Sequence, residues 1–419
     1  MKLKPVGIVD NFVKLSTFKT TNKIIYLFVC CFSMFSCGLT STSKYDESES
    51  NFLIFDLENT IGLQRIATVT LNSIIDSVRF IPLETTKESV FFNIANRFGV
   101  IGKNMFISGG IGDRISAVLQ FSQEGKYIGQ IAQRGHGPTE LPNLFAWYVH
   151  GALQQINAVG DSKIVIKSFK NDKITNFRKE TSVNFNMIPL SDSSFVATGF
   201  LSEEYKNFPY LYFLDANGKE IASMHYAKER DIYTTKRENN QRIDAWPHEM
   251  RIIVPRFSGD ALFHDAYNDT TYLIRSATDI KPYFLFVRGK YMPIVKDALN
   301  VEKKNNQVFI RNIMETEDYI FLTTVYNRNF FYDIWCKKSR QLYSRSEADS
   351  SLLMYRMGGF WTYCELPNGS KQLINIQYVE KNTIYAIIDA ETAITFMEGI
   401  HEEDNPVIMV AKLKPAATE

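Results

Sequence analysis

Six histidines, His136, His150, His225, His248, His264 and His401, are the side chains best suited to bind a metal or move a proton. None falls in an H-x-H, H-E-x-x-H or close Cys/His pattern, the spacings that bring two ligands to one point locally. Read singly, they are isolated loop or core histidines. The densest candidate site is Arg134-Gly135-His136-Gly137-Pro138. The free amides of such a loop, with Arg134 beside them, suit an anion. The same glycines and proline are what a chain needs to leave an outer strand and turn, and that backbone argument is the stronger one. Trp246-Pro247-His248-Glu249 and Phe360-Trp361-Thr362-Tyr363 set aromatic faces beside polar groups. Such faces stack on sugar rings while the polar neighbours bond hydroxyls, and core packing is the competing use of the same rings. Arg251, Arg256 and Arg275 could grip carboxylates bidentately or simply be solvated. No G-x-S-x-G, S-x-x-K or Walker pattern is present. Glu203-Glu204 and Glu402-Glu403 are adjacent pairs, which in extended chain point to opposite faces and cannot cooperate as glycosidase acids do. The ligand-binding candidates are thus Arg134, His136, Trp246, His248, Arg256 and Trp361, with no catalytic residue assigned.

The elements that must carry these residues are strands. Residues 118–121 and 127–131 are apolar and β-prone, separated by Ser122-Gln123-Glu124-Gly125-Lys126, where glycine takes a positive φ cheaply. The same grammar returns at 211–224: Phe121, Ser122, Gly125, Lys126 and Ile128 align with Leu214, Asp215, Gly218, Lys219 and Ile221. A second repeat matches 269–274 (DTTYLI) with 382–387 (NTIYAI), and 318–322 (DYIFL) is a looser third copy. Divergent strand repeats spaced tens of residues apart predict a radial array of small sheets.

Three signatures resemble the six-bladed β-propeller lipoproteins of Bacteroidetes, relatives of the NHL-repeat propellers. They are 78–86 (VRFIPLETT), 121–126 with Gly135-His136-Gly137-Pro138-Thr139-Glu140, and 405–414 (NPVIMVAKLK). The second is similar to the family's F-D-x-x-G-K … G-x-G-P-G-E, with Ser122 in place of Asp and Thr139 in place of a glycine. The resemblance implies an all-β fold, a six-bladed propeller of four-stranded antiparallel blades over residues 71–419. Blades are expected at 93–132, 144–179, 183–226, 252–293, 308–345 and 353–396. Either 78–83 or 407–413 should complete a blade begun at the other terminus, since closure removes an exposed edge. Residues 226–250 read as a long loop or short helix. In NHL-type amidating lyases, histidines from separate blades hold zinc around the central channel. By that likeness His136, His248 and His264 are conceivable ligands, and zinc or calcium at the channel is compatible with the fold, although no cofactor is predicted.

Residues 1–37 read as a lipoprotein signal. A basic leader precedes an apolar run from Ile24 to Phe35, too short for a span of ~20 residues. Ser36-Cys37 then resembles a lipobox, making Cys37 the acylated residue. Residues 38–70 read as a flexible tether and lead-in, rich at first in Ser, Thr and acids. Cys336 and Cys364 remain in the mature chain; an oxidising periplasm would permit a disulfide between them, and two buried free thiols are the preferred reading. Lys and Arg total 47 against 46 Asp and Glu, so no basic stripe is available for phosphates and nucleic acid is a poor partner. The 45% hydrophobic share of 419 residues, with 31 Phe and 21 Tyr, supports one large repeat-built core. The leading expectation is a non-enzymatic outer-membrane lipoprotein, periplasmic or surface-exposed. It would offer a ring face to a glycan, a peptide or an outer-membrane protein complex, with envelope or nutrient-acquisition roles. The alternative is a metal-dependent lyase or hydrolase acting on a glycan or peptide in the channel.

Overall fold

The structure, a computed structural model, describes residues 53–61, 70–90, 95–111, 114–160, 163–178, 187–198, 211–224, 235–238, 241–244, 251–294, 303, 305–348 and 358–416. Strand β1 (Leu53–Asp56), helix α1 (Glu58–Ile61) and β2 (Ile75–Pro82) precede the repeats. Six four-stranded antiparallel blades then form a ring. Blade one is β3 (Ala95–Ile101), β4 (Asn104–Ile111), β5 (Arg114–Ser122) and β6 (Tyr127–Gln133). Blade two is β7 (Leu144–His150), β8 (Gln155–Gly160), β9 (Lys163–Ser168) and β10 (Ile174–Arg178). Blade three is β11 (Met187–Pro189), β12 (Phe195–Thr198), β13 (Leu211–Leu214) and β14 (Glu220–Met224). A hairpin, β15 (Thr235–Glu238) and β16 (Gln241–Asp244), stands where a loop or short helix was expected. Blade four is β17 (Arg251–Pro255), β18 (Ala261–Asp265), β19 (Thr270–Ile274) and β20 (Ile280–Val287). Blade five is β21 (Phe309–Glu315), β22 (Tyr319–Tyr326), β23 (Asn329–Cys336) and β24 (Leu342–Ala348). Blade six is β25 (Phe360–Glu365), β26 (Lys371–Glu380), β27 (Thr383–Ile388) and β28 (Val407–Leu413).

First strands meet around the axis: β3 touches β7, β7 touches β11, β11 touches β17 and β17 touches β21, while β26 reaches both β21 and β3 to complete the circle. The core lies between blades, because each sheet buries both faces against its neighbours. Phe321 meets Phe360 edge-on at 5.1 Å between blades five and six, and Phe98 stacks on Tyr385 at 5.3 Å between blades one and six. Phe177 and Phe195 join blades two and three at 5.4 Å. Cys336 and Cys364 are free thiols, both packed in the cluster between blades five and six.

The sequence repeats map onto hairpins. Residues 118–131 and 211–224 are third and fourth strands of blades one and three, with Gly125 and Gly218 at φ 83° and 82°. Asp215 Oδ1 accepts the amides of Asn217 and Lys219 at 2.8 and 2.9 Å, and Ser122 Oγ does the same for Glu124 and Lys126 at 3.2 and 3.4 Å. Serine thus performs the aspartate's task over longer bonds. The repeats at 269–274 and 382–387 open third strands, whereas 318–322 opens a second strand, so its likeness is local rather than positional.

The three signature stretches converge on the ring's closure. Strand β2 pairs antiparallel with β28, Ile81 opposite Ile408, as a fifth strand at the edge of blade six. Just beyond it the Glu84 amide donates to the Gly125 carbonyl at 2.8 Å, and Glu84 Oε2 accepts the Tyr127 amide at 2.8 Å. Asn405 Nδ2 donates to the carbonyls of Glu84 and Ser89 at 2.8 and 3.0 Å. Residues far apart in sequence are one latch between blade six and blade one.

The N-terminal segment also straps the rim of blades four to six. Strand β1 adds parallel to β20, and Phe55 is fully buried among Phe284, Phe286 and Trp335, with centroids 5.9, 5.5 and 5.5 Å away. Arg345 of β24 pairs with Asp333 of β23 through bonds of 2.7 and 2.6 Å and reaches the Thr60 carbonyl and hydroxyl at the end of α1. Tyr343 donates to Ser73 Oγ at 2.8 Å, and Asn72 bonds both backbone groups of Glu365 at 2.9 and 2.7 Å. Part of the stretch read as tether and lead-in is therefore built into the propeller from Leu53 onward.

Candidate functional site

The glycine loop after β6 spends its own anion-binding capacity. Glu140 Oε2 accepts the Gly137 amide at 2.8 Å, and Gln133 donates to Oε1 at 2.5 Å. These bonds hold the Glu140 carboxyl below the usual carboxylate range. A Cβ on Gly135 would meet Glu140 Oε2 at 2.0 Å, so the glycine makes room for that carboxylate. Lys163 of blade two donates to the carbonyls of Gly137 and Pro138 at 3.2 and 2.9 Å. Arg134 donates to the Pro142 carbonyl at 3.3 Å, and both Arg134 and His136 are exposed. The loop is a brace between blades one and two, with an internal anion in the place that an external one would take.

Arg256 is likewise drawn into the fold rather than toward a ligand. It lies on the turn between β17 and β18, where Nε meets Glu315 Oε2 at 2.9 Å, Nη2 donates to Tyr283 OH at 3.2 Å and Nη1 sits 3.4 Å from Asp260. Tyr283 in turn donates to Glu315 at 2.7 Å, and Lys337 pairs with the same carboxylate at 2.5 Å. This network fastens blade four to blade five. Arg275 stays on its own blade, facing Asp260 at 3.8 Å and Asp279 at 3.6 Å.

The described histidines do not gather. His264 of β18 is fully buried, its Nδ1 3.0 Å from Thr271 Oγ1, and burial holds the imidazole well below its usual range. Among the described residues no group of three or more His, Cys, Asp or Glu could hold a metal ion. Trp246, His248 and Cys37 lie outside the described residues.

Trp361 of β25 packs against the cluster between blades five and six, and its carbonyl accepts Ser346 Oγ of β24 at 3.3 Å. Arg97 in β3, Arg251 in β17 and Arg311 in β21 each stand four residues before the end of a first strand. Those three strands surround the axis, so one level of the ring carries three guanidinium groups. Arg97 lies 5.8 Å over the Tyr148 ring of blade two. Register shifts fall at the same end of the first strands, between Ala95 and Arg97, Leu144 and Ala146, and Ile310 and Asn312. Bulges of this kind re-aim side chains and recur beside binding sites. Arg97 and Arg311 carry no sequence motif. Equal spacing from the strand end is the signal that picks them out, and it requires knowing where the strands end.

Beside Trp361, Asn375 of β26 is its direct cross-strand partner, so the two side chains share a face. Asn375 is 3% exposed, yet neither amide atom has a hydrogen-bond partner, and the buried Trp361 Nε1 also lacks one. Gly359, at φ 74°, passes so close that a Cβ there would meet Asn375 Oδ1 at 2.0 Å and Gln377 Nε2 at 2.7 Å. Its carbonyl accepts Asn312 Nδ2 from blade five at 3.3 Å.

Fold and site together define a closed six-bladed β-propeller with a polar axial level. The chain belongs to the DUF4934 family, a domain of unknown function, which matches residues 52–412. No curated protein matches the chain. Among solved structures it is similar to a Bacteroides fragilis protein described as exported, with TM-score 0.61 and 16% identity over 87% of this chain and 99% of that one. It is also similar to a Bacteroides vulgatus member of the DUF4221 family, with TM-score 0.47 and 11% identity over 81% and 97% of the two chains. Virginiamycin B lyase from Staphylococcus aureus follows at TM-score 0.38 and 11% identity over 81% and 99%. At such identities the likeness is one of fold, and fold does not carry function with it. No helix among the described residues is long and apolar enough to cross a membrane.

Proposed function

We propose that this protein is an exported, lipid-anchored binding platform of the outer membrane, kin to the NHL-repeat propellers, whose axial level receives a glycan or peptide ligand. The observation that carries this reading is the equivalent placement of Arg97, Arg251 and Arg311 on the first strands of three blades. Guanidinium groups suit hydroxyl-rich or carboxylate-bearing ligands, through bidentate hydrogen bonds. Away from that level, Glu315 with Arg256 and Lys337 is tied into an interblade brace. The export and outer-membrane parts rest on the lipobox-like Ser36-Cys37 and on the described character of the Bacteroides fragilis relative. Neither zinc nor calcium has a part in this reading.

The test uses mature chain from Gly38, presented with immobilised neutral glycans, acidic glycans and carboxylate-rich peptides. Binding to one class, weakened at least tenfold in Arg97→Gln or Arg311→Gln at unchanged melting temperature, is the expected result. Stoichiometric metal on protein purified without chelator, with turnover of a bound glycan or peptide, would replace the platform with a lyase or hydrolase. Cys37→Ala should release the full-length protein from the membrane fraction and abolish incorporation of labelled palmitate.

A further inference from the structure

The sequence holds two Asn-Gly pairs, Asn217-Gly218 and Asn368-Gly369, and the fold sets both in the same kind of turn. Gly218 donates its amide to the Asp215 carbonyl at 3.0 Å, and Gly369 donates to the Leu366 carbonyl at 2.8 Å. Asp215 and Leu366 donate their own amides to the Lys219 and Ser370 carbonyls at 2.8 and 2.9 Å. The glycines stand at φ 82° and 78°, and both asparagines are exposed. Backbone and solvent access therefore match, and the two sites differ in what holds the carboxamide. Asn368 Nδ2 donates to the Thr395 carbonyl and hydroxyl at 3.1 and 3.0 Å, while its Oδ1 accepts the Ser370 amide at 2.9 Å. Among the described residues nothing bonds the Asn217 carboxamide, although the backbone amide of Asn217 donates to Asp215 Oδ1 at 2.8 Å.

We propose that Asn217 is a modification site, converted by its own backbone to aspartate and isoaspartate, and that Asn368, the same dipeptide in the same turn, is protected by Thr395. Base removes the Gly218 amide proton, and the nitrogen attacks Asn217 Cγ. The new N–C bond forms as the carboxamide C–N bond breaks, and ammonia leaves with a proton from solvent. Water then opens the succinimide ring at either carbonyl, giving aspartate or isoaspartate. Nothing is oxidised or reduced, and water is the co-reactant. Glycine favours the step because no side chain shields the attacking nitrogen. The carboxamide must rotate toward its own backbone to be attacked, which a free side chain does and one tied to Thr395 and Ser370 does not. The product alters the turn. A carboxylate arrives two residues from Asp215, and isoaspartate lengthens the main chain by a methylene, so the bonds across 215–219 are not all kept. Strand β14, the outermost of blade three, depends on them.

The experiment ages the mature chain in mildly alkaline buffer, folded and in concentrated urea, and maps acid-digested samples by mass spectrometry over time. In the folded protein the peptide carrying Asn217 should exchange amide for carboxyl at least tenfold faster than the peptide carrying Asn368. In urea the two rates should converge to within threefold, because both sites are then bare Asn-Gly. Methyl transfer by an isoaspartyl methyltransferase should label the aged Asn217 peptide, and Asn217→Gln should abolish that label. Amide exchange in the aged protein should quicken in β14 and stay unchanged in β6, whose turn carries Glu124 at the matching position. Equal rates in the folded protein, or faster reaction at Asn368, overturn the proposal. A ratio that survives in urea also overturns it, since flanking residues rather than Thr395 would then set the difference. So does an Asn217 that stays intact in the folded chain while the unfolded chain converts.

Discussion

Gly125 sits at φ 83° with its Cα against the Pro82 carbonyl, and a Cβ would stand 2.1 Å from that oxygen. Both backbone conformation and space therefore demand glycine, and the Glu84 amide bonds the Gly125 carbonyl in the same contact. Gly125→Ala should cost more than about 1 kcal/mol, read as a lowered urea midpoint with unchanged slope. Gly369, with φ 78° and open space around it, is the control, because only the backbone term applies there. Two imidazoles give a pH dependence. Burial lowers the titration of both His150 and His264, so the fold holds them neutral. Unfolded histidines titrate near ~6.5, so unfolding takes up protons and stability must fall as pH drops below that value. Urea midpoints at pH 7.5 and 5.5 should differ in that direction, and His264→Gln should reduce the difference.

At the scale of elements, β1 and α1 behave as a strap on blades four and five. Burial raises the Asp333 carboxyl despite its bidentate partner Arg345, which marks a pair that is costly to leave half made. Arg345→Met strands a buried carboxylate and should cost about 3–5 kcal/mol, whereas the double replacement Asp333→Leu with Arg345→Met should recover most of it. Limited proteolysis offers a second readout. Arg345→Met removes the bonds to the Thr60 carbonyl and hydroxyl, so cleavage between β1 and β2 should quicken even where the ring persists. Phe55→Ala, which empties an aromatic cage, should loosen the same strap at a cost of about 3–5 kcal/mol.

For the whole molecule, closure is the controlling event. Residues 78–86 and 405–413 are separated by most of the chain, and Asn405 is the joint, bonding the carbonyls of both Glu84 and Ser89. Asn405→Ala leaves those buried carbonyls short of a donor and should cost about 1–3 kcal/mol. The loss should appear first as faster amide exchange in β2, β28 and the β5–β6 turn, before global unfolding. A loss confined to blade six, sparing blade one, would count against the latch.

How much could be read from the sequence divides along these scales. Alternating and continuous apolar runs, with glycine turns between them, were legible as hairpins because strand period and turn chemistry are local properties. They were sufficient for blades one, two, three and five to within a few residues, and for the pairing of the chain's two ends; blade four stops at Val287, six residues short of the expected bound, and blade six runs on past 396 to Leu413 because β28 supplies its fourth strand. Three things were not local. The 235–244 hairpin lacks the apolar alternation that marks a strand, β1 is only four residues long, and the 318–322 repeat occupies a different strand from its matches. The site divided in the same way. Glycines in 134–140 announced a tight loop, but only the folded chain shows that Glu140 fills it. Arg256 looked like a free cation because its partner Glu315 comes from another blade. Arg97, Arg251 and Arg311 became one level because a ring superposes equal positions of strands that the chain spaces irregularly. Local order follows from residue type and near neighbours, and so belongs to the sequence; which charges cancel and which amides stay unspent depends on contacts between distant segments, and those the tertiary structure alone decides.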